Sequence, residues 1–374
     1  MLDLTRQYAP LHEELLAAVG HVLQTQQFIL GEPVARFERD AAQQLGVAHA
    51  LGCSSGTDAL WLALAAAGIG SGDAVVTTPF SFFASVSAIL RAGAKAVLAD
   101  IDPATFNLSA AAVEGVLEGA GVKAILPVHL YGQCADWAAF SRIGKARGLK
   151  LIEDAAQAYG AEWQGVKAGG PGDLAAFSFY PTKNLSAAGD AGMVTTNSDE
   201  LAERVKMLRQ HGMKRRYYHD EIGWNARMDG FQGAILSVKL RYIEGWNDAR
   251  RAVAATYHRL FAAAGLAEPG PYPGHGVVLP QEMPGTKHVW HQYVIRVNRR
   301  DELREFLAAR KIGSEIYYPV PLHLQEALKP LGYKQGDFPE AERAAREVLA
   351  LPIFPELRED EQETVVAAVA EFLS

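Results

Sequence analysis

Leu151-Ile152-Glu153-Asp154-Ala155-Ala156-Gln157 decides the fold class, because an apolar run passes without a turn residue into two adjacent carboxylates. A short run that is apolar on both faces and sharply ended has the character of a buried strand in a parallel sheet. Leu149–Asp154 contains it, and the same character recurs at Val47–Cys53, Ala74–Thr78, Lys95–Ile101, Val122–His129, Ala175–Phe179 and Gly192–Thr196. Between the earlier runs lie Asp58–Ala67, Phe82–Ala92, Ser109–Glu118 and Trp137–Arg147, apolar at helical spacing, each with a glycine near its C-terminal end. This alternation predicts an α/β domain with crossover helices around a mostly parallel sheet.

Beyond the sheet, Phe231–Ala264 has one helical period throughout, and the Pro- and Gly-rich stretch Pro269–Gly285 has none. The reading places a boundary near Trp246, giving a large domain over 1–245 and a small α+β domain over 246–374. The latter is expected to hold a strand at His291–Val297, a helix at Asp301–Arg310, a strand at Gly313–Tyr318 and a last helix from Glu359. At the other end, Tyr8–Gln24 is amphipathic and leads into a turn at Phe28-Ile29-Leu30-Gly31.

Composition removes several classes of function. The 374 residues carry a net charge of −7, which offers no footprint for a nucleic-acid backbone, and Lys214-Arg215-Arg216 is a local cluster. Two cysteines, Cys53 and Cys134, are too few for a disulfide framework and lie in no metal-ligand spacing, so both read as small buried residues. No run of about 18 apolar residues and no signal-peptide pattern is visible. The expectation is a cytoplasmic protein without membrane, metal or nucleic acid.

In open α/β sheets the C-terminal strand ends line the ligand crevice, and four polar segments fall there. Ser54-Ser55-Gly56-Thr57-Asp58 opens a helix; it suits a phosphate, although a capped helix start explains it as well. Asp154 suits the proton of a heteroaromatic nitrogen better than a metal, since no histidine or acidic cluster accompanies it, and an Asp capping the next helix is the alternative. In Phe177-Ser178-Phe179-Tyr180-Pro181-Thr182-Lys183-Asn184 a lysine follows a strand and a turn in aromatic surroundings, a setting for an amine nucleophile rather than a solvated surface lysine. Gly223-Trp224-Asn225-Ala226-Arg227-Met228-Asp229 is a loop suited to an anion or simply a helix-capping turn.

Together these segments, with Thr78-Pro79-Phe80-Ser81-Phe82, Pro127-Val128-His129-Leu130-Tyr131-Gly132 and Tyr318-Pro319-Val320-Pro321-Leu322-His323, resemble the DegT/StrS family of pyridoxal-phosphate-dependent nucleotide-sugar aminotransferases. The resemblance implies the aspartate-aminotransferase-like transferase fold, pyridoxal 5'-phosphate (PLP, alternating with pyridoxamine phosphate) as cofactor, an amino-acid donor, commonly glutamate, and a nucleotide-linked keto-sugar as acceptor. It implies that Lys183 holds the cofactor as a Schiff base and moves the proton, that Asp154 salt-bridges the pyridine nitrogen, that Phe82 stacks on the ring and that Gln157 bonds its phenolic oxygen. Gly56, Thr57 and Ser178 would cradle the phosphate, with Asn225 supplied by the partner of a homodimer that shares its active sites. Tyr317, Tyr318, His323 and Arg227 resemble substrate-side residues, whereas His129 and His211 read as satisfied structural histidines. Gly189-Asp190-Ala191-Gly192 leans toward amination at C3 of a deoxyhexose. A dehydratase of the same family carries His where Lys183 stands; a non-catalytic regulator keeping the fold is the other alternative.

Overall fold

The computed structural model describes residues 2–118 and 121–374. The seven apolar runs form one sheet in the spatial order His49–Cys53, Gly192–Thr196, Leu174–Ser178, Lys150–Asp154, Val122–Ile125, Ala74–Thr77, Lys95–Leu98. Gly192–Thr196 is antiparallel to both its neighbours, and the remaining pairs are parallel. The C-terminal ends of six strands and the beginning of the seventh therefore meet along one edge, where Asp154, Ser178 and the Ser54–Thr57 turn lie.

Helices start where side chains can take over their free N–H groups. Ser55, Ser109, Asp136 and Ser198 accept from the backbone N–H of Asp58, Ala112, Ala139 and Leu201 at 3.1–3.3 Å. Gly148 ends the helix Trp137–Arg147 in the left-handed region at φ 66°, which a glycine enters without a Cβ clash. The helix Gly56–Ala66 is buried on nearly every face, including Leu60, Trp61, Leu62 and Leu64, so its N-terminus is aimed by packing from both sides.

The C-terminal part adds an antiparallel sheet of Val277–Val278, Tyr293–Val297 and Val348–Leu351, flanked by the helices Arg300–Ala309, Pro339–Glu347 and Glu359–Leu373. One continuous cluster of packed apolar side chains joins it to the first sheet, running from Leu51 and Trp61 through Trp290 and Tyr293 to Val369.

Two expectations from the sequence need correction. The single helix over Phe231–Ala264 is two helices, Gly230–Leu240 and Ile243–Ala263, and neither glycine makes the break. At the break Tyr242 N–H bonds the carbonyl of Lys239, three residues back, which tightens the turn and redirects the chain while the apolar period continues. Trp246 lies inside the second helix. Gly313–Tyr318 is not a strand: Glu315 alone pairs with Ala350, and the chain then turns away so that side chains of the first sheet, not a ladder, bind its polar groups.

The break also seats an unusual lysine. Lys239 has no exposed surface and no carboxylate within 4 Å among the described residues; its Nζ donates to Ser186 Oγ at 2.5 Å and Tyr8 OH at 2.9 Å. Burial pushes this amine down to about 7. Between pH 7 and 10 the unfolded chain holds a proton here that the folded chain does not, so stability rises with pH across that window. Lys239→Met removes this dependence. In urea unfolding, the variant should gain on the wild type as pH falls from 10 to 7, by about 1.4 kcal/mol per unit, and level off below; a difference constant across that range would contradict the assignment.

Candidate active site

At the first strand's end, Gly56 opens its helix against Ser178. A Cβ at Gly56 would lie 2.5 Å from the Ser178 Cβ, and one at Gly192 would strike the Ser55 carbonyl, so three backbone segments touch with no room for side chains. Neither Gly56 nor Thr57 has an acceptor for its backbone N–H among the described residues. Two free donors, the positive end of an 11-residue helix and the adjacent Ser178 hydroxyl make a cradle for a phosphate-sized anion.

The paired carboxylates of the fifth strand point to opposite faces of the sheet, as alternation requires. Glu153 is structural: it accepts from His129 Nε2 at 2.9 Å and from the N–H groups of Gly169 and Gly172. His129 accepts in turn from Ala135 N–H through Nδ1 at 3.1 Å, the satisfied histidine expected. Asp154 faces the crevice edge. It is 4% exposed, accepts from Ser85 Oγ at 2.7 Å and Ala156 N–H at 3.2 Å, and has no ion pair among the described residues. Burial raises its pKa, against the pull of those hydrogen bonds and of Lys183.

Lys183 lies in the turn between Tyr180 and Ala187, which is tied by Lys183 N–H to the Tyr180 carbonyl and Ala187 N–H to the Phe179 carbonyl, both 2.8 Å. Its Nζ makes no hydrogen bond among the described residues. Burial pushes the amine down to about 8, and Asp154 opposes that shift. An amine neutral slightly above neutral pH is a competent nucleophile and proton acceptor.

The C-terminal part supplies the facing wall. Gln157 accepts from Tyr131 N–H at 2.6 Å and donates to Tyr318 OH at 3.2 Å, and Tyr131 OH donates to the Tyr317 carbonyl. Asp154 adds to the upward shift of the Tyr318 phenol, which places that hydroxyl in its field. Phe82, 60% exposed, lies 6.4 Å from the Tyr318 ring, centroid to centroid.

Other expected residues stand apart. His323 is buried, its Nε2 3.0 Å from Glu342 and its ring edge-on to Phe338, while its Nδ1 has no partner among the described residues. His211 is exposed and only its backbone is bonded, to Trp224 and His219, so it is not a satisfied histidine. Asn225 is exposed, and Arg227 has a buried Nε without a partner; their segment runs beside the first strand through a Cys53–Arg227 bridge. Sequence reasoning missed His291, which packs beside the Lys183 turn and bonds Asn184; a histidine in an apolar strand pattern has no local mark of that contact.

The donor set fits the cofactor implied by the sequence. Asp154 is a buried carboxylate with no ion pair among the described residues, which suits a protonated ring nitrogen; the Gly56 and Thr57 N–H groups have no acceptor among them, which suits a phosphate; and the Lys183 amine makes no hydrogen bond there. Among the described residues no cluster of three or more metal-ligating side chains occurs, and no helix is long and apolar enough to cross a membrane.

Comparison with known proteins gives a consistent picture. The model of the DegT/DnrJ/EryC1/StrS aminotransferase family matches residues 10–370. A pleiotropic regulatory protein of Geobacillus stearothermophilus is 50% identical over 372 residues, covering 100% of this chain and 98% of its own. The dTDP-3-amino-3,4,6-trideoxy-alpha-D-glucose transaminase of Streptomyces venezuelae is 42% identical over 371 residues, covering 99% and 95%. Among solved structures, S. venezuelae DesV in complex with a ketimine intermediate superposes with a TM-score of 0.94 at 41% identity, covering 100% of this chain and 97% of that one.

Gly56→Ala tests the cradle without touching the amine. Millimolar inorganic phosphate should raise the thermal midpoint of the wild type by mass action and leave that of the variant unmoved; equal protection of both would rule the corner out as an anion site.

Proposed function

The chain belongs to the DegT/DnrJ/EryC1/StrS aminotransferase family, and from that premise we propose that it transfers an amino group from an amino acid, glutamate first, to C3 of a nucleotide-linked keto-sugar, with pyridoxal phosphate as cofactor. The observation that carries the reading is the pairing of a buried carboxylate lacking a cation with an uncommitted lysine whose amine is neutral above about pH 8. The sugar and its position rest on the transaminase relative, whose named product carries a 3-amino group, together with Ala191.

Bound pyridoxal phosphate supplies an aldehyde that receives the amino group and a ring that withdraws electrons from the reacting carbon. The Gly56 and Thr57 N–H groups and Ser178 bind its phosphate end. Asp154, oriented by Ser85, keeps a proton on the ring nitrogen; Phe82 covers one face. Lys183 Nζ would anchor the cofactor through its aldehyde and, once freed, would be the base that carries a proton between the substrate carbon and the cofactor carbon. Gln157 orients Tyr318 at the mouth, and Tyr317, Tyr318 and Arg227 meet the nucleotide-sugar.

Asn225 is exposed, with no side-chain hydrogen bond among the described residues, and Phe28, Ile29, Tyr217, Tyr218 and Ile222 are exposed apolar or aromatic residues. Both features support a homodimer in which Asn225 completes the partner's phosphate site.

A second reading has a specific basis, since the 50% identical relative is named as a regulator. A regulator that only keeps the fold has no use for an uncommitted amine beside a buried carboxylate. Adding glutamate to the pyridoxal-phosphate-loaded protein separates the two: loss of the absorbance near 420 nm as the cofactor takes up the amino group, about the range of a protonated Schiff base, supports transfer, and an unchanged spectrum supports the regulator. Lys183→Ala should lower kcat by at least about 1000-fold; retained turnover would exclude the lysine as the reacting amine. Mixed Asn225→Ala and Lys183→Ala chains should regain part of the wild-type activity. Heterodimers without recovery would place Asn225 in its own chain's site.

A further inference from the structure

Asn184, next to Lys183, is buried and both polar atoms of its side chain are committed. Its Nδ2 donates to Asn247 Oδ1 at 2.8 Å and to the Val289 carbonyl at 2.9 Å, and Asn247 Nδ2 donates onward to the Tyr159 carbonyl at 3.0 Å. Both amide protons of Asn184 are thereby used, so Oδ1 can only accept. The atom facing it is His291 Nδ1 at 3.2 Å, which must carry the proton; the tautomer is set by the network rather than chosen.

Burial most of all disfavours a charged imidazole at His291, and Lys183 in the lysine turn and Arg250 on the helix Ile243–Ala263 act in the same direction, as does His288 in its own segment, itself pushed down to about 3 by burial. The His291 backbone is held rigidly: Arg250 Nη1 donates to the Trp290 and His291 carbonyls at 3.1 and 3.4 Å, and Gln292 N–H bonds the Tyr131 carbonyl at 3.3 Å. The C-terminal part thus presents a fixed, uncharged donor to the residue beside Lys183.

We propose that His291 is the positioning residue of Lys183: its neutral ring, donating Nδ1–H to Asn184, locks the turn that carries the amine and adds no second positive charge beside it. The inference deepens the reading of Lys183 as the reacting amine and rests on it. Loss of the bond orphans Asn184 Oδ1 in the interior and loosens the turn on the side facing the C-terminal part, so that the amine meets more water and its proton affinity rises toward that of an ordinary lysine.

Pulse acetylation of the cofactor-free protein, followed by peptide mass spectrometry, reads the proton affinity of Lys183 directly. The wild-type labelling midpoint is expected near pH 8. His291→Phe should move it up by about one unit. His291→Asn places an amide N–H where Nδ1 stands and should keep the wild-type midpoint, whereas His291→Gln places it where Nε2 stands and should behave as the Phe variant does. An unshifted Phe midpoint, or Asn and Gln midpoints that coincide, overturns the proposal. If the Phe chain does not fold, the Asn and Gln pair decides. The base reading stands separately on the absorbance of wild-type protein with pyridoxal phosphate: without a Schiff-base band that reading fails, whatever the labelling midpoints.

Discussion

A carboxylate enclosed at the end of an apolar strand is the constraint around which this molecule is arranged. Asp154 cannot be left bare: an ionised carboxyl in the interior costs several kcal/mol unless hydrogen bonds and a cation meet it. The protein meets half of that need. Ser85 and Ala156 N–H hold the two oxygens, while the positive partner is withheld, since Lys183 stands near without an ion pair. A buried carboxylate with hydrogen bonds but no ion pair among the described residues is the kind of partner a protonated ring nitrogen needs. Lys183 follows from the same burial, which pushes its amine down to about 8, so that its neutral form is within reach slightly above neutral pH.

The crevice is complete only because the far end of the chain is packed onto the sheet. Residues 288–292 run beside Tyr131–Gly132, where Val289 N–H bonds the Gly132 carbonyl, and Arg250 ties the same segment to Ile353. A Cβ on Gly132 would press the Val289 side chain and the His291 backbone, so that the close approach itself depends on a glycine. Gln157 then clasps Tyr131 and Tyr318 with its two ends. Sheet, clasp and turn form one hydrogen-bonded unit in which a shift of the C-terminal part is felt at the lysine.

Fold alone would not separate an enzyme from a regulator, for one architecture hosts both names among the relatives of this chain. What separates them is whether polar groups at the strand ends are spent on each other. Glu153 is spent, on His129 and two backbone N–H groups. Its neighbour Asp154 has hydrogen bonds but no ion pair, and the Gly56 and Thr57 N–H groups and the Lys183 amine have no hydrogen-bond partner among the described residues.

The sequence by itself determined the sheet, its crevice edge and the segments lying there, because apolar runs, helical periods and capping residues are local properties. All seven strands were legible on that basis, as were Gly56, Asp154, Ser178 and Lys183 at the strand ends. Tertiary structure decided what depends on distant partners. The helix break at Arg241–Tyr242 is invisible to a period that continues through it, and Gly313–Tyr318 looks like a strand until Tyr131 and Gln157 take its polar groups. His323 and His291 show the same division most clearly. One lies in a motif that suggests a ligand and is buried on Glu342; the other lies in an ordinary apolar strand pattern and touches the residue beside Lys183. Glu342 lies 19 residues from His323 and Asn184 lies 107 from His291; neither partner leaves a trace in the residues next to the histidine, so only the folded chain could pair them.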